Sequence, residues 1–410
     1  MKQEKLGTFV DVVSGVSYSP RDVSQSGIRI LRGGNIQNGS VIFQDDDVFL
    51  GANYKSTINQ IRSGDTIIVA STGSTDALGK AATVWEAIPN VQIGAFLRIA
   101  RPKEERYAAL VSAWLNQPIF SKYIVNAAKG TGINNIRKEH ILDYHIELPD
   151  DSGLAAFSDL YKSYSQKIAF NRKRIKELEA LAKTIYDYWF VQFDFPDKNG
   201  KPYRSSGGKM VYNDHLKREI PEGWKVGSLN DIAIVTMGQS PSGNSLNESG
   251  NGILFFQGSS DFGDVSPSNR VYTIAPTRVA GRGDVLLSVR APVGATNIAL
   301  SKCCIGRGLA ALRGRDCSNI YVLQTLSYAK SRLAAKNVDG TIFGSLSKDE
   351  LNGLEVLKAP ATIIQAFDDF AIPIIDQVLG LVCSIREMSA FRDFLLPLLM
   401  NGQVKIKEAV

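Results

Sequence analysis

At 410 residues the chain exceeds what a single hydrophobic core organises, so two or more domains are expected. Hydrophobic content of 44% beside 21% charged residues is ordinary for a soluble globular protein, and no apolar run reaches the about 18 residues of a membrane span. The net charge of +6 falls short of the strongly basic balance of a compact nucleic-acid-binding domain, so a polyanionic partner would require the positive residues to gather on one face.

The start, Met1-Lys2-Gln3-Glu4-Lys5-Leu6, lacks the apolar core of a signal peptide, and a cytoplasmic protein is expected. Residues 1 to about 150 alternate short apolar runs with Gly, Asn, Ser and Asp turn signals. Val41-Ile42-Phe43, Thr66-Ile67-Ile68-Val69 and Phe96-Leu97-Arg98-Ile99 read as strands. Ala108 to Leu115 reads as a helix stopped near Pro118. This is a mixed α+β unit.

From Leu154 to about Val191 the period changes to that of a helix. Ile168, Ile175, Leu178, Leu181, Ile185 and Trp189 recur at spacings of three, four and seven, with Asn171 interrupting the stripe. The pattern predicts one amphipathic helix of roughly 35 residues, about 55 Å long. The Gly/Pro-rich stretch from Phe195 to Lys209 has no apolar stripe and reads as a boundary loop. A second globular unit follows from Ile220-Pro221-Glu222-Gly223-Trp224 to about Pro360.

The last segment carries a heptad: Phe367, Ala371, Ile374, Val378, Leu381, Ile385, Met388, Arg392 and Leu395. Pro373 is expected to kink or restart this helix, and Pro397 with Gly402 to end it. A 55 Å rod outreaches a domain of about 150 residues, whose gyration radius is about 15 Å. The two helices are therefore expected to pair with each other, antiparallel, about a pseudo-two-fold axis. Ile168, Ile175, Leu178, Ile185 and Trp189 would pack in that pair with Ile374, Val378, Leu381, Ile385 and Met388.

The two globular units repeat each other about 210 to 225 residues apart. Lys5-Leu6-Gly7 returns as Lys225-Val226-Gly227, and the strand after Ser63-Gly64-Asp65 as the strand after Arg282-Gly283-Asp284. Gly130-Thr131, Ile136 and Lys138-Glu139 return as Gly340-Thr341, Leu346 and Lys348-Asp349. A duplicated body suits a ligand with two similar ends, and duplex DNA read at two half-sites is the leading candidate.

Sites for chemistry are few. Cys303, Cys304, Cys317 and Cys383 include no Cys-x-x-Cys pair, and His140, His145 and His215 are scattered, so no metal site is expected. Gly73 to Lys80 has five residues between its glycines where a phosphate-cradling P-loop needs four, and Ala81 replaces its hydroxyl. Gly306-Arg307-Gly308 mimics a dinucleotide fingerprint, but its counterpart at Gly94 runs into a strand rather than a helix. No Phe-x-Gly-x-Gly or Asn-Pro-Pro-Tyr pattern of an adenine methyltransferase occurs, and no Ser/His/Asp or Cys/His arrangement. No catalytic residue is assigned.

Polar loops at matching positions remain. The loop with Arg32 and Asn35 (Leu31 to Ile36) corresponds to the loop with Gln257 and Ser259 (Phe256 to Ser260), and Ser71-Thr72-Gly73-Ser74 to Arg290-Ala291-Pro292-Val293-Gly294, just after Ser288. Arg contacts guanine bidentately, Asn and Gln contact adenine, and hydroxyls suit bases or phosphates. With Lys80, Thr131, Asn134, Arg137, Thr341 and Lys348, these are the candidate DNA-binding residues.

In these features the chain resembles the DNA specificity subunit of type I restriction-modification enzymes. The likeness rests on Leu31-Arg32-Gly33-Gly34-Asn35-Ile36, Gly283-Asp284 through Pro292-Val293-Gly294, and Gly340-Thr341 followed by Leu346 to Leu351. It rests also on the connector Phe193 to Trp224 and on Leu395-Leu396-Pro397-Leu398-Leu399-Met400-Asn401-Gly402. The resemblance implies an α+β chain with target-recognition domains at 1–151 and 193–362 and conserved helical regions at 152–192 and 363–402. Each domain would read half of a split double-stranded DNA site. The helices would set the spacing and dock two modification subunits, which use S-adenosylmethionine to methylate adenine at N6. A restriction and translocase subunit using ATP and Mg would complete the complex, so the chain itself would hold no cofactor and contact no membrane. Two other readings stand beside this one: a bivalent protein-interaction scaffold without DNA readout, and a stand-alone DNA-processing enzyme.

Overall fold

The computed structural model describes residues 2–54, 56, 58–73, 77–128, 135–148, 151–336 and 345–400. The chain divides into two compact units. Unit one comprises Met1–Phe170 with Ile385–Val410, and unit two Asn171–Ser384.

In unit one the opening strand Lys2–Lys5 pairs antiparallel with His145–Leu148, tying the two ends of the domain together. Between them lie two four-stranded sheets. In the first, Leu97–Pro102 is flanked by Val10–Ser14 and Thr66–Val69, with Ala81–Thr83 beyond. Thr66-Ile67-Ile68-Val69 is buried at every position because both faces of its sheet are covered. Ile68 and Ala100 face the cluster that holds Leu110 and Val111 of helix α1 (Ala108–Leu115), whereas Ile67, Val69 and Ile99 face Leu31 and Ile93 of the second sheet. That second sheet contains one parallel pair, Val91–Ile93 against Ile28–Leu31. Helices α2 (Pro118–Ala128) and α3 (Lys138–Leu142) complete the domain, and α4 (Asp151–Tyr186) leaves it.

Unit two repeats this plan. Lys225–Ser228 pairs with Glu355–Lys358, and Leu309–Gly314 lies between Ala233–Met237 and Val285–Ser288, with Thr296–Ile298 beyond. The parallel pair recurs as Ile253–Phe256 with Cys303–Ile305. Alternation again splits one strand between two clusters: Val285 and Leu287 face one, Leu286 the other. Its helices are α5 (Leu229–Ile232), α6 (Asn319–Lys336) and α7 (Lys348–Asn352), followed by α8 (Ala361–Met400).

The long helices pair antiparallel inside each unit. In unit one the Tyr164 and Phe391 rings lie 5.5 Å apart, and the Arg392 guanidinium sits 5.8 Å from the Tyr161 ring. In unit two Phe367 meets Tyr186 at 5.9 Å and Trp189 at 6.1 Å, while Leu178 and Ala182 share a pocket with Ile374 and Val378. Of the predicted seam, Ile168, Ile175, Leu178, Trp189 and Val378 are buried, and Ile185, Ile374, Leu381, Ile385 and Met388 are half-buried.

Four local expectations are corrected. Helix α8 runs unbroken through Pro373. The carbonyl this proline leaves unmatched belongs to exposed Asp369, where water can satisfy it. The helix also continues past Pro397 to Met400, while Gly402 lies outside the described residues. Val41-Ile42-Phe43 is not a strand beyond Ser40–Val41: Phe43 is 47% exposed, with the Arg29 guanidinium 4.3 Å over its ring. The connector is packed rather than a plain boundary loop. A π-helical turn at Asp187–Val191 ends in Phe193 (φ 69°), and Phe195 stacks on both Tyr203 and Trp224, at 4.7 and 5.2 Å. A hairpin, Met210–Asn213 with Arg218–Pro221, follows.

Candidate nucleic-acid interface

The repeated Gly-Asp motif builds the frame of the site. Gly64 and Gly283 take φ of +84° and +82°, a left-handed turn that only glycine adopts without strain. The aspartate after each locks that turn. Asp65 accepts from the Arg62 N–H at 2.8 Å and from Arg101, and Asp284 from the Gly281 N–H at 2.7 Å and from Arg313. Each strand then runs to the same destination. The Ile136 N–H donates to the Ala70 carbonyl at 2.7 Å, and the Leu346 N–H to that of Val289 at 2.8 Å. Ser71 bridges Asn135 as Arg290 bridges Ser345, so Ser71 and Arg290 occupy equivalent positions.

In unit one these residues open onto a cleft of about 870 Å³, lined among others by Gly33, Gly34, Ser71, Thr72, Lys80 and Phe96. Three of the sequence candidates thus converge: Ser71 and Thr72 are half-buried and Lys80 is exposed. Asn35 is not among the residues that line the cleft. It is 1% exposed, accepts from the Arg32 N–H at 2.7 Å, and donates to the Ile42 carbonyl and to Asp47 at 2.9 and 2.6 Å. Its role is to pin the loop that carries Gly33 and Gly34. Arg32 is half-buried, its guanidinium on the Asp46 carbonyl and carboxylate at 2.7 and 2.9 Å.

In unit two Gln257 is exposed and accepts from the Ser240 hydroxyl at 3.0 Å, and Ser259 is half-buried. Asp261 does here what Asn35 does in unit one, accepting from the Gln257 and Gly258 N–H groups at 2.6 and 3.3 Å. Ser288 is buried as well: it is 1% exposed and donates to the Arg290 carbonyl at 2.8 Å, a bond that helps to position the arginine. Arg290, Arg137 and Lys348 are exposed. Ser74, Thr131, Asn134 and Thr341 lie outside the described residues.

Gly306 and Gly308 have a steric reason for being glycine. A Cβ on Gly306 would lie 2.8 Å from the Gln257 side chain, and one on Gly308 2.7 Å from the Gln257 carbonyl oxygen. Motif reading passed over Asp47, Asp261 and Phe96. The first two are single carboxylates that hold loop backbone or a buried amide, roles that no residue motif marks. Phe96 sat in what read as strand, where an aromatic is unremarkable; the strand in fact starts at Leu97, and Phe96 is 66% exposed.

Among the described residues no group of three or more His, Cys, Asp or Glu side chains is placed to hold a metal ion, and no helix is long and apolar enough to cross a membrane. The Cys303 and Cys317 thiols are pushed up to about 12 by burial, which keeps them protonated and poor nucleophiles.

A duplicated α+β domain with two long helices is the fold of a solved type I restriction-modification S subunit. That structure, from M. genitalium, matches over 99% of this chain and 96% of its own, with a TM-score of 0.57 at 11% identity. The putative type I restriction enzyme MjaX specificity subunit of Methanocaldococcus jannaschii is 31% identical over 320 residues, 74% of this chain and 71% of that protein. The MjaIX specificity subunit of the same organism is 23% identical over 306 residues, covering 70% and 67%. No family model matches the chain. The chain belongs to the specificity subunits of type I restriction enzymes.

Proposed function

We propose that the chain reads a bipartite DNA sequence, one half with each globular unit, and itself carries out no chemistry. The observation that carries this reading is the pair of equivalent positions Ser71 and Arg290. One scaffold holds both by the same backbone bonds and presents a hydroxyl in one unit and an exposed guanidinium in the other. Different side chains on one frame are what two different half-sites require. Exposed Lys80, Arg137 and Lys348 would contact phosphates, which hold register without reading sequence.

Helices α4 and α8 would set the spacing of the half-sites and dock two modification subunits. Those subunits would methylate adenine at N6 with S-adenosylmethionine on a base taken out of the stack. A restriction and translocase subunit using ATP and Mg would join the same complex. The test is binding of the chain, assembled with its modification subunit, to mapped and scrambled duplexes across a salt series. Specific binding with a steep salt slope is expected. Equal affinity for both duplexes would reject DNA readout.

A further inference from the structure

Phe96 stands in the cleft of unit one with two-thirds of its surface exposed, and nothing in the fold requires an aromatic there. Its backbone is fixed. The Phe96 carbonyl accepts from the Ala70 and Ser71 N–H groups at 2.9 and 3.1 Å, and the Leu97 N–H donates to Gly94 at 2.9 Å. The Arg98 guanidinium donates to the Ala95 carbonyl at 2.7 Å. Gly15 approaches so closely that a Cβ on it would lie 2.0 Å from the Gly94 carbonyl oxygen. A turn braced on every side presents its ring with little freedom left to lose on binding. The Ser71 and Thr72 hydroxyls and the Lys80 ammonium line the same cleft. An aromatic face beside a cation and hydroxyls matches a nucleobase with its phosphate.

We propose that Phe96 is a base-stacking wedge, its ring inserted against a base step of the half-site read by unit one. This rests on the reading of the chain as a DNA specificity subunit. Among the described residues of unit two no aromatic holds the equivalent place. Gly308 holds the equivalent place, its carbonyl accepting from the Val289 N–H at 3.0 Å, and close approach to Gln257 bars a side chain there. Its neighbour Arg307 is exposed instead. The wedge therefore opens a base step in the half read by unit one and has no counterpart at Gly308.

The experiment uses the chain assembled with its modification subunit. The probe is a duplex carrying the site mapped by methylome sequencing, with 2-aminopurine placed at successive adenine positions in both halves. Apart from the adenines that the modification subunits take out of the stack, a rise in 2-aminopurine emission at one further step of one half is expected, and its loss in Phe96→Ala. That variant should bind about 5- to 150-fold more weakly, the range for one stacked base, with an unchanged melting temperature. Phe96→Trp should restore both signals. Phe96→Leu, which keeps apolar bulk without a π face, should fall short of the parent. Parent-like affinity and emission in Phe96→Ala, on a duplex the parent binds specifically, would overturn the wedge alone. Failure of the parent to prefer the mapped duplex over a scrambled one would overturn the DNA reading beneath it.

Discussion

Asp65 is fully buried with both carboxylate oxygens on the guanidinium of Arg101, 2.9 Å from Nε and 2.7 Å from Nη2. Asp284 and Arg313 repeat the pairing at 2.8 and 2.9 Å. The motif that most plainly marks the duplication is therefore a brace. It fixes the turn into the strand whose far end presents Ser71 or Arg290.

The two braces should not be equally costly to remove. The Arg101 side chain is 12% exposed, so Asp65→Ala leaves a nearly buried cation unpaired and should cost about 3–5 kcal/mol. The Arg313 side chain is 58% exposed and returns to water, so Asp284→Ala should cost less. Urea unfolding of both variants measures the difference; equal losses would contradict the burial argument.

Asn35→Ala and Arg290→Ala should separate stability from selectivity. The first removes a buried amide with three partners, including the donor to Asp47 Oδ1, and should cost about 1–3 kcal/mol of stability. The second removes an exposed side chain, so its melting temperature should stay unchanged while base preference relaxes in one half-site. Equal relaxation in both halves would argue against one unit per half-site.

Thiol labelling should be selective. Cys303 and Cys304 are buried, Cys317 is half-buried with its thiol pushed up to about 12, and Cys383 is exposed. At pH 8 the native isolated chain should react rapidly at one thiol of its four, and at all four in denaturant. Peptide mapping that places the first label on Cys303 would overturn the burial pattern.

The cap of α7 should leave a mark in acid. The Ser347 N–H and hydroxyl both donate to Glu350 and hold its carboxyl below the ordinary value of 4.5. A carboxylate depressed in the folded state binds fewer protons there than in the unfolded chain. Its contribution is thus complete above 4.5 and is lost as pH falls through that range. Glu350→Gln should flatten the acid limb of a stability–pH curve and leave its slope near neutrality unchanged.

Periodicity made the long helices legible, because side-chain spacing alone dictates which face is buried. It misjudged Pro373, whose cost depends on whether the orphaned carbonyl faces water, a matter of position rather than residue type. The duplication was legible from Gly64-Asp65 and Gly283-Asp284, since a left-handed turn tolerates few alternatives to glycine. Arg101 and Arg313 were not, as a partner more than two dozen residues away leaves no local pattern. The cleft was half legible. Ser71, Thr72 and Lys80 follow a recognisable strand, but no rule of spacing shows that Asn35 and Ser288 turn inward while Phe96 turns out.

The most direct test of the account is a methylome measurement on a host carrying the modification subunit with a chain whose residues 1–150 come from another specificity subunit. One half of the methylated sequence should change and the other should remain as in the parent. A change in both halves, or in neither, would contradict the assignment of one half-site to each unit.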